Sequence, residues 1–312
     1  MSILITGATG FVGRHLVEHL SRALPGVDLH GTTIVQEVSI RTAQIHLVDL
    51  IDPSAVIDLL KQTQPDFIYH LAAQSSPRRS FQDPWGTLEN NIRAQLNIFQ
   101  ACIELDISPR ILVVSSAEIY RVAEGSITED TPFNPTSPYG VSKIAQDMLA
   151  LQYYQTHHLA ILRARPFNHI GPGQGEGFVA PDFAMQIARI EADQQSPVLE
   201  VGNLAARRDF ADVRDVVRAY RLILEQGQPG EVYNIATGAA HSIQELLDTL
   251  LSFSTRSIEV RVDPARFLPV DVPIKLGDSS RLRTATGWEP EISFEQSLLD
   301  ILTECRQRIQ SA

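Results

Sequence analysis

The sequence predicts an α/β protein that contains a doubly wound parallel sheet and a second, smaller α/β lobe. Three observations predict this fold. In the first half of the chain, strand-like apolar runs alternate with segments of helical periodicity. A glycine-rich turn follows the first of these runs. Beyond Pro166 the composition changes to glycine, proline and isolated polar residues. Alternating strands and helices form a parallel sheet that helices cover on both faces.

The first strand, residues 2–6, runs directly into a glycine turn and then into a helical pattern over residues 11–24. This order places helix N-terminal amides against a phosphate and predicts a Rossmann-type dinucleotide site. The glycine spacing is G-x-x-G-x-x-G rather than the commoner G-x-G-x-x-G, and a turn that only connects strand to helix is the alternative. The cofactor-binding residues predicted here are Gly7, Thr9, Gly10, Phe11, Val12 and Gly13.

The pattern continues with strands at residues 27–33, 44–48, 67–71, 111–115 and 159–165, and with helices at residues 53–63, 85–105 and 138–157. Ligands bind such a sheet at the carboxyl ends of its strands. The residues expected at or near that edge are Asp49, Leu50, Leu71, Ala72, Ala73, Ser115 and Ser116.

The end of the second strand bears on the choice of cofactor. A fold that selects NAD usually places an acidic residue there on the adenosine ribose, but this chain has Gly31-Thr32-Thr33-Ile34. Without a carboxylate, repulsion toward a 2′-phosphate is removed. The sequence therefore favours NADP(H), with Thr32 as a contact and Arg41 as a phosphate partner, and leaves NAD(H) open.

The second half of the chain alternates between the two lobes. Helices are expected at residues 181–192, 213–225, 242–251 and 294–309, and strands at residues 198–201 and 232–235. We assign residues 1–166, with about 211–237, to the Rossmann domain. Residues 167–210, with about 238–312, form the lobe expected to bind substrate.

Composition excludes several classes of protein. The 312 residues carry a net charge of −11, which argues against nucleic acid or an anionic membrane as the main partner. Two cysteines are too few for a disulfide framework or a cysteine metal site. No leader-like or membrane-spanning stretch is evident, so a cytoplasmic location is expected.

The segment Pro138-Tyr-Gly-Val-Ser-Lys143 carries the chemistry. Helix positions four apart share a face, so Tyr139 and Lys143 would present a phenol and an ammonium to one small volume. A nearby cation lowers the pKa of a phenol from near 10 and makes it a workable acid or base. Coincidence on an amphipathic helix is the alternative for so short a motif.

Several motifs occur together in one order. They are Gly7-x-x-Gly10-x-x-Gly13, Asp49-Leu50, His70-Leu-Ala-Ala73, Ser115-Ser-Ala-Glu-Ile-Tyr120 and Tyr139-x-x-x-Lys143. This set resembles the extended short-chain dehydrogenase/reductase family, whose members modify nucleotide sugars. Residues 165–172 and 201–210 resemble the branch that acts on GDP-mannose and its derivatives. The resemblance covers essentially the whole chain.

The resemblance implies roles for individual residues. Tyr139 would donate a proton, Lys143 would lower its pKa and bind the nicotinamide ribose, and Ser116 would orient the carbonyl. Asn91 would support the active-site helices from behind, unless it is a surface residue. The substrate contacts implied are Ser75, Ser116, Asn168, Val179, Gly202, Asn203, Arg208 and Arg266.

Two of these contacts have structural alternatives. Asn168 could satisfy turn backbone, and Arg208 could pair with Asp209 or Asp212. The chain also departs from the family pattern at Leu268, Arg121 and Pro77.

The activity implied is NAD(P)H-dependent reduction of the C4 keto group of GDP-4-dehydro-6-deoxy-D-mannose to GDP-D-rhamnose. Glu118 keeps two alternatives open, GDP-mannose 4,6-dehydration and epimerisation, because a dehydratase uses a glutamate at this place on C5 and C6. A nucleotide-binding regulator with an inactive site is the non-enzyme alternative. The family also implies a homodimer, formed by pairing the helices at residues 85–105 and 138–157 as a four-helix bundle.

Overall fold

The structure is a computed structural model that describes residues 1–36, 38–122, 125–266 and 272–311. Its strands are β1 (Ser2–Thr6), β2 (Asp28–Thr33), β3 (Gln44–Leu47), β4 (Phe67–His70), β5 (Arg110–Val114), β6 (Ile161–Pro166), β7 (Asn168–Ile170), β8 (Val198–Val201), β9 (Arg207–Asp212), β10 (Val232–Ile235), β11 (Ala240–Ser242), β12 (Glu259–Val262) and β13 (Ile274–Lys275). Its helices are α1 (Phe11–Ala23), α2 (Pro53–Thr63), α3 (Pro77–Gln82), α4 (Pro84–Glu104), α5 (Pro138–His157), α6 (Val179–Glu191), α7 (Val213–Gln226), α8 (Ile243–Ser252), α9 (Ser280–Thr286) and α10 (Phe294–Gln310).

The described residues form a seven-stranded sheet in the order β10-β6-β5-β4-β1-β2-β3. Every neighbouring pair in it is parallel. The strand order reverses between β1 and β4, which is the switch point where doubly wound sheets bind ligands. The predicted fold class is therefore confirmed.

Apolar side chains fill both faces of this sheet. On one face α1, α7 and the residues around Trp288 form one core cluster with β1, β5 and β6. On the other face α2, α4 and α5 form a second cluster. Because both faces are covered, central strands such as β1 and β5 are nearly continuous apolar runs, which is why the sequence pattern identified them.

The second lobe has its own core and smaller sheets. Helices α6, α8 and α10 pack around β8 and β9. Strand β9 pairs with β7, β11 and β13, and β8 pairs with β12. Between these strands, α7 and β10 return to the main sheet, where β10 pairs with β6.

Local sequence sets the start of the catalytic helix α5. Ser137 is its N-cap, and the Ser137 hydroxyl accepts a hydrogen bond of 3.1 Å from the Gly140 amide. Pro138 occupies the first helical position, where its missing N–H costs nothing. Tyr139 and Lys143 are thereby fixed in the first two turns.

The structure also differs from the sequence prediction. Helix α6 begins at Val179 rather than near residue 181. Elements that were not predicted are β7, β9, β11, β12, β13, α3 and α9. Strand β9 has the sequence Arg-Arg-Asp-Phe-Ala-Asp and lacks an apolar run. Its buried Asp209 is instead satisfied by hydrogen bonds from Thr237 and Gly238, a tertiary effect that periodicity does not reveal.

Candidate active site

The glycine turn lies between β1 and α1 at the switch point. Gly7 has a φ of +69°, a conformation that favours glycine. A Cβ on Gly13 would lie 2.3 Å from the Gly7 carbonyl oxygen, so only glycine allows the helix to pack this close. Helix α1 begins at Phe11 without a side-chain cap on its N-terminus. Its first amides are suited to a phosphate.

A cavity of about 420 Å³ adjoins this turn. Its lining includes several residues predicted to bind cofactor, namely Gly7, Thr9, Thr32, Asp49, Leu50, Ala72 and Ala73. The hydroxyls of Thr9 and Thr33 lie 2.9 Å apart, and the Thr32 hydroxyl accepts a hydrogen bond from the Gly7 amide. Small side chains and backbone amides at a helix N-terminus fit a dinucleotide. Leu71 lies beside this lining, and its amide donates to Thr6.

Ser116, Tyr139 and Lys143 come together beyond the carboxyl end of β5. The Ser116 side chain lies close enough to the Tyr139 phenol to lower its pKa. The Lys143 ammonium lies 5.8 Å from the centroid of the Tyr139 ring and donates to the Val114 carbonyl at 2.9 Å. The neighbouring Ser115 donates instead to the Lys143 carbonyl. The serine facing the phenol is therefore Ser116.

Burial sets the protonation of this group. It raises the pKa of Tyr139 to about 12, an effect that the Glu118 charge adds to and the Ser116 hydrogen bond opposes. Burial also lowers the pKa of Lys143 to about 7. The pKa of Tyr139 thus moves opposite to the direction we predicted, because desolvation of a buried phenolate outweighs its neighbours. At neutral pH Tyr139 is a phenol, able to donate a proton.

Glu118 follows Ser116 in a short 3₁₀ turn of residues 117–119. Its amide donates to the Ser116 hydroxyl at 3.1 Å. Its carboxylate accepts a hydrogen bond of 2.5 Å from the Lys275 ammonium, which arrives from β13 of the second lobe. Sequence reasoning missed Lys275, since 157 residues separate the two partners.

Asn91 of α4 supports the site from behind. It is fully buried, so the surface alternative is wrong. Its side chain bonds both backbone groups of Gln74 and donates to the Ser142 hydroxyl at 2.9 Å. Asn91 thus joins α4, the loop after β4 and the catalytic helix α5.

Apart from Ser75 and Ser116, which follow strands of the main sheet, the predicted substrate contacts lie in the second lobe. Gly202 lies against the backbone of Arg266, where an added Cβ would be 2.8 Å from the Arg266 oxygen. Arg266 borders a polar cavity of about 520 Å³ and forms ion pairs with Asp182, Glu200 and Asp263. These carboxylates already pair with the guanidinium of Arg266, which was predicted as a substrate contact.

The remaining substrate candidates are positioned as follows. The side chain of Arg208 donates to the carbonyl oxygens of Arg207 and Val272. Asn203 accepts from the Ala205 amide, and Val179 is the first residue of α6. Asn168 begins β7, whose neighbour His169 stacks on Phe11 of α1. Ser75 is exposed in the loop after β4.

The arginine that lines the cofactor cavity is not the one that we predicted. Arg41 is exposed and lies outside the set of described residues that line it. Arg79 of α3, which we did not predict, lines the same cavity with Thr33, Ile34 and Val35. The helix α3 that presents Arg79 is too short for a periodic signal, so the sequence offered none.

The three residues that depart from the family pattern lie in different parts of the chain. Leu268 lies outside the described residues. Pro77 is the first residue of α3, and Arg121 is exposed, with its amide bonded to the Pro132 carbonyl.

The fold and this site define an extended short-chain dehydrogenase/reductase, an enzyme that works with a nicotinamide dinucleotide. The family model of GDP-mannose 4,6 dehydratase matches residues 4–301. The chain therefore belongs to the GDP-mannose 4,6-dehydratase family, and the resemblance noted in the sequence is confirmed.

Individual relatives span the chain from end to end. GDP-6-deoxy-D-mannose reductase of Pseudomonas aeruginosa is 38% identical over 311 residues, which cover 99% of this chain and 98% of that protein. The solved structure of RMD from Pseudomonas aeruginosa complexed with NADPH has a TM-score of 0.88 and 38% identity, covering 99% of this chain and 100% of that one. A UDP-glucose 4-epimerase with UDP-glucose, from Thermotoga maritima, has a TM-score of 0.89 and 25% identity, with coverage of 99% and 100%.

Across the part of the chain that the structure describes, no helix has the length and apolar character needed to span a membrane.

Proposed function

We propose that this protein reduces the C4 keto group of GDP-4-dehydro-6-deoxy-D-mannose to give GDP-D-rhamnose. The observation that carries the proposal is the end-to-end match, at 38% identity, to a GDP-6-deoxy-D-mannose reductase. The placement of Ser116, Tyr139 and Lys143 supports it, because reduction of a ketone requires a proton donor beside the carbonyl oxygen.

Each residue has a distinct task in this mechanism. Tyr139 gives its phenolic proton to the sugar oxygen as that oxygen becomes an alkoxide. Ser116 donates a hydrogen bond to the same oxygen, orienting the carbonyl and stabilising the charge that develops on it. The Lys143 ammonium donates to the Val114 carbonyl and packs against the Tyr139 ring, which keeps the ring in place.

The cofactor would be held by residues on both sides of the switch point of the seven-stranded sheet. The glycine turn at residues 7–13 and the amides of α1 would hold its diphosphate, Asp49 and Leu50 its adenosine, and Lys143 its nicotinamide ribose. When bound, a reduced nicotinamide supplies the hydride that reaches C4.

We further propose NADP(H) in preference to NAD(H). The segment Gly31-Thr32-Thr33-Ile34 has no carboxylate to repel a 2′-phosphate, and Arg79 lines the cavity beside it. In Arg79→Ala we expect the KM for NADPH to rise about tenfold and that for NADH to change little, as for loss of a charge-assisted contact. Arg41→Ala is the matched test of our original candidate. An equal rise for both cofactors in Arg79→Ala would count against a 2′-phosphate contact.

A homodimer is proposed as the working form. Helices α4 and α5 pack against each other on one face of the sheet. They still expose the apolar side chains of Trp85, Ile103, Val141 and Met148. Pairing these helices with those of a second copy would form a four-helix bundle and cover this surface.

The substrate is tested directly. Purified protein is mixed with GDP-4-dehydro-6-deoxy-D-mannose and NADPH or NADH, nicotinamide absorbance is followed and the product is identified. Stoichiometric oxidation of the nicotinamide with a GDP-6-deoxyhexose product is the expected result.

The second candidate is 4,6-dehydration of GDP-mannose, which the family model and the presence of Glu118 favour. Conversion of GDP-mannose alone to a keto sugar, without net consumption of cofactor, would establish that activity instead. Epimerisation would give an isomer of the supplied nucleotide sugar, also without net consumption.

A further inference from the structure

We propose that Lys275 determines reaction specificity by holding the Glu118 carboxylate in an ion pair, so that Glu118 does not move protons at C5 and C6 and the site is restricted to reduction at C4. This inference rests on the proposed function. It assigns Lys275 as a positioning residue that acts through Glu118, whose amide donates to the Ser116 hydroxyl.

The contact is short and one partner is buried. The Lys275 ammonium lies 2.5 Å from one oxygen of Glu118. Its side chain is 6% exposed, whereas that of Glu118 is 31% exposed. A buried ammonium must be paired, and Glu118 supplies the charge that pairs it. Lys275 is thereby directed at the carboxylate rather than at solvent.

The backbone fixes both partners. Lys275 pairs with Arg208 across β13 and β9. The next residue, Leu276, accepts a hydrogen bond of 2.8 Å from the Ile127 amide, so this strand is tied to the segment that follows the Glu118 turn. Glu118 itself lies in a turn that Ser116 caps. The backbone of each partner is therefore held in place independently of the ion pair. The pair belongs to the site before any substrate binds.

The pair opposes the chemistry of dehydration. Dehydration requires a carboxylate to take a proton from C5 and to deliver it to the C6 oxygen, which leaves as water. The Lys275 ammonium holds the Glu118 carboxylate in an ion pair and occupies one of its two oxygens. Reduction at C4 makes no such demand, because Tyr139 supplies the proton.

The test isolates the C5 step. Protein and GDP-4-dehydro-6-deoxy-D-mannose are incubated in D₂O without NADPH, and deuterium in the recovered sugar is measured by mass spectrometry and located by NMR. Exchange at C5 breaks the C5–H bond, passes its electron pair to the C4 carbonyl as an enolate and its proton to Glu118. The reverse step returns a deuteron from the carboxyl group, which has exchanged with solvent.

We expect slow C5 exchange in the wild type and a rise of about tenfold or more in Lys275→Met, since a freed general base contributes about 10²–10⁴-fold. Lys275→Arg keeps the charge and should restore the slow rate. Adding Glu118→Gln to Lys275→Met should remove the gain. Lys61→Met is the matched control, because Lys61 is an exposed lysine on α2.

Two results would overturn the proposal. One is equal exchange in Lys275→Met and Lys61→Met, and the other is a gain that persists when Glu118 is replaced. If Lys275→Met does not fold, Lys275→Gln, which keeps a hydrogen-bond donor without the charge, is expected to show the same gain and decides the question in its place.

Reduction of the same substrate by the wild type with NADPH is measured in parallel. If the wild type does not oxidise NADPH, the proposed function is wrong. If it does and no variant gains exchange, the proposed function stands and the role of Lys275 is wrong.

Discussion

The surroundings of Tyr139 favour the protonated form of its side chain. The residue is 8% exposed, and burial is the main reason that its pKa is raised to about 12. A phenol with so high a pKa holds its proton at neutral pH until an alkoxide forms beside it. This direction of proton transfer is the one that reduction requires.

Replacement of this hydroxyl gives the first prediction. In Tyr139→Phe we expect kcat to fall by about 10²–10⁴-fold while cofactor binding persists, because only the proton donor is lost. Steady-state kinetics and fluorescence titration with NADPH check the two halves. Tyr154→Phe, which removes a hydroxyl from the distant end of the same helix, is the control. Activity within a few-fold of the wild type in Tyr139→Phe would assign proton donation to another group.

Lys143 gives a prediction for pH. Burial lowers its pKa in the folded protein to about 7, whereas in the unfolded chain a lysine titrates near about pH 10.4. Between these values the unfolded chain binds the additional proton, so this group makes the free energy of unfolding rise with pH above about 7. The contribution is complete above the unfolded pKa and is lost as pH falls through the folded one.

Urea denaturation at several pH values compares the wild type with Lys143→Met. The variant should lack the part of the slope that lies between about pH 7 and about pH 10. Parallel stability curves for the two proteins over that window would show that Lys143 does not titrate there.

The residue scale also shows what sequence can reveal. Tyr139 and Lys143 lie four positions apart on one helix, so local periodicity was enough to pair them. Lys275 and Glu118 are 157 positions apart and meet in the folded chain, where β13 pairs with β9 and the Ile127 amide donates to the Leu276 carbonyl. The direction of the pKa shift of Tyr139 was predicted wrongly, because the burial that raises this pKa cannot be read from a four-residue spacing.

At the scale of elements, the glycine turn and α1 form one unit. Gly13 is the residue at which α1 meets the turn, and a methyl group there would meet the Gly7 oxygen at 2.3 Å and the backbone of Ala8 at 2.7 Å. Backbone atoms of this kind cannot move aside without shifting the helix from β1.

We therefore predict that Gly13→Ala destabilises the protein by about 1–3 kcal/mol, the range for overpacking, and weakens cofactor binding. Thermal unfolding with and without NADPH measures both effects. Gly175→Ala is the control, since a Cβ at Gly175 has open space around it. Equal stability of the two variants would mean that α1 can move away from the turn at no cost.

The same scale explains which elements sequence could predict. The strands of the main sheet and the long helices carry apolar periodicity, and their predicted positions agree with the structure to within a few residues. The elements that were missed are short or polar, such as β7 and α3, and they depend on contacts made by distant parts of the chain. The division into two lobes at residues 166, 210 and 237 remains a prediction.

At the scale of the whole molecule, the exposed faces of α4 and α5 test the proposed dimer. Val141 and Met148 lie seven residues apart on one face of α5 and are 46% and 36% exposed. We predict that Met148→Lys shifts the sedimentation equilibrium from dimer toward monomer, because the charge would be buried in the bundle. Val262→Lys, at an exposed position on β12, is the control. A wild type that sediments as a monomer at micromolar concentrations would exclude the dimer.

The return of β10 to the main sheet also has a consequence for how the protein is made. As the chain leaves the ribosome, residues 1–166 emerge with β6 as an unpaired sheet edge, and its partner β10 follows only after residues 167–210 of the second lobe and α7. The core cluster on one face of this sheet also includes residues of α7. The sheet of the nucleotide-binding domain therefore cannot be completed before residues 213–235 have been synthesised. Nascent chains that stop short of residue 235 would present an open edge and be prone to aggregation.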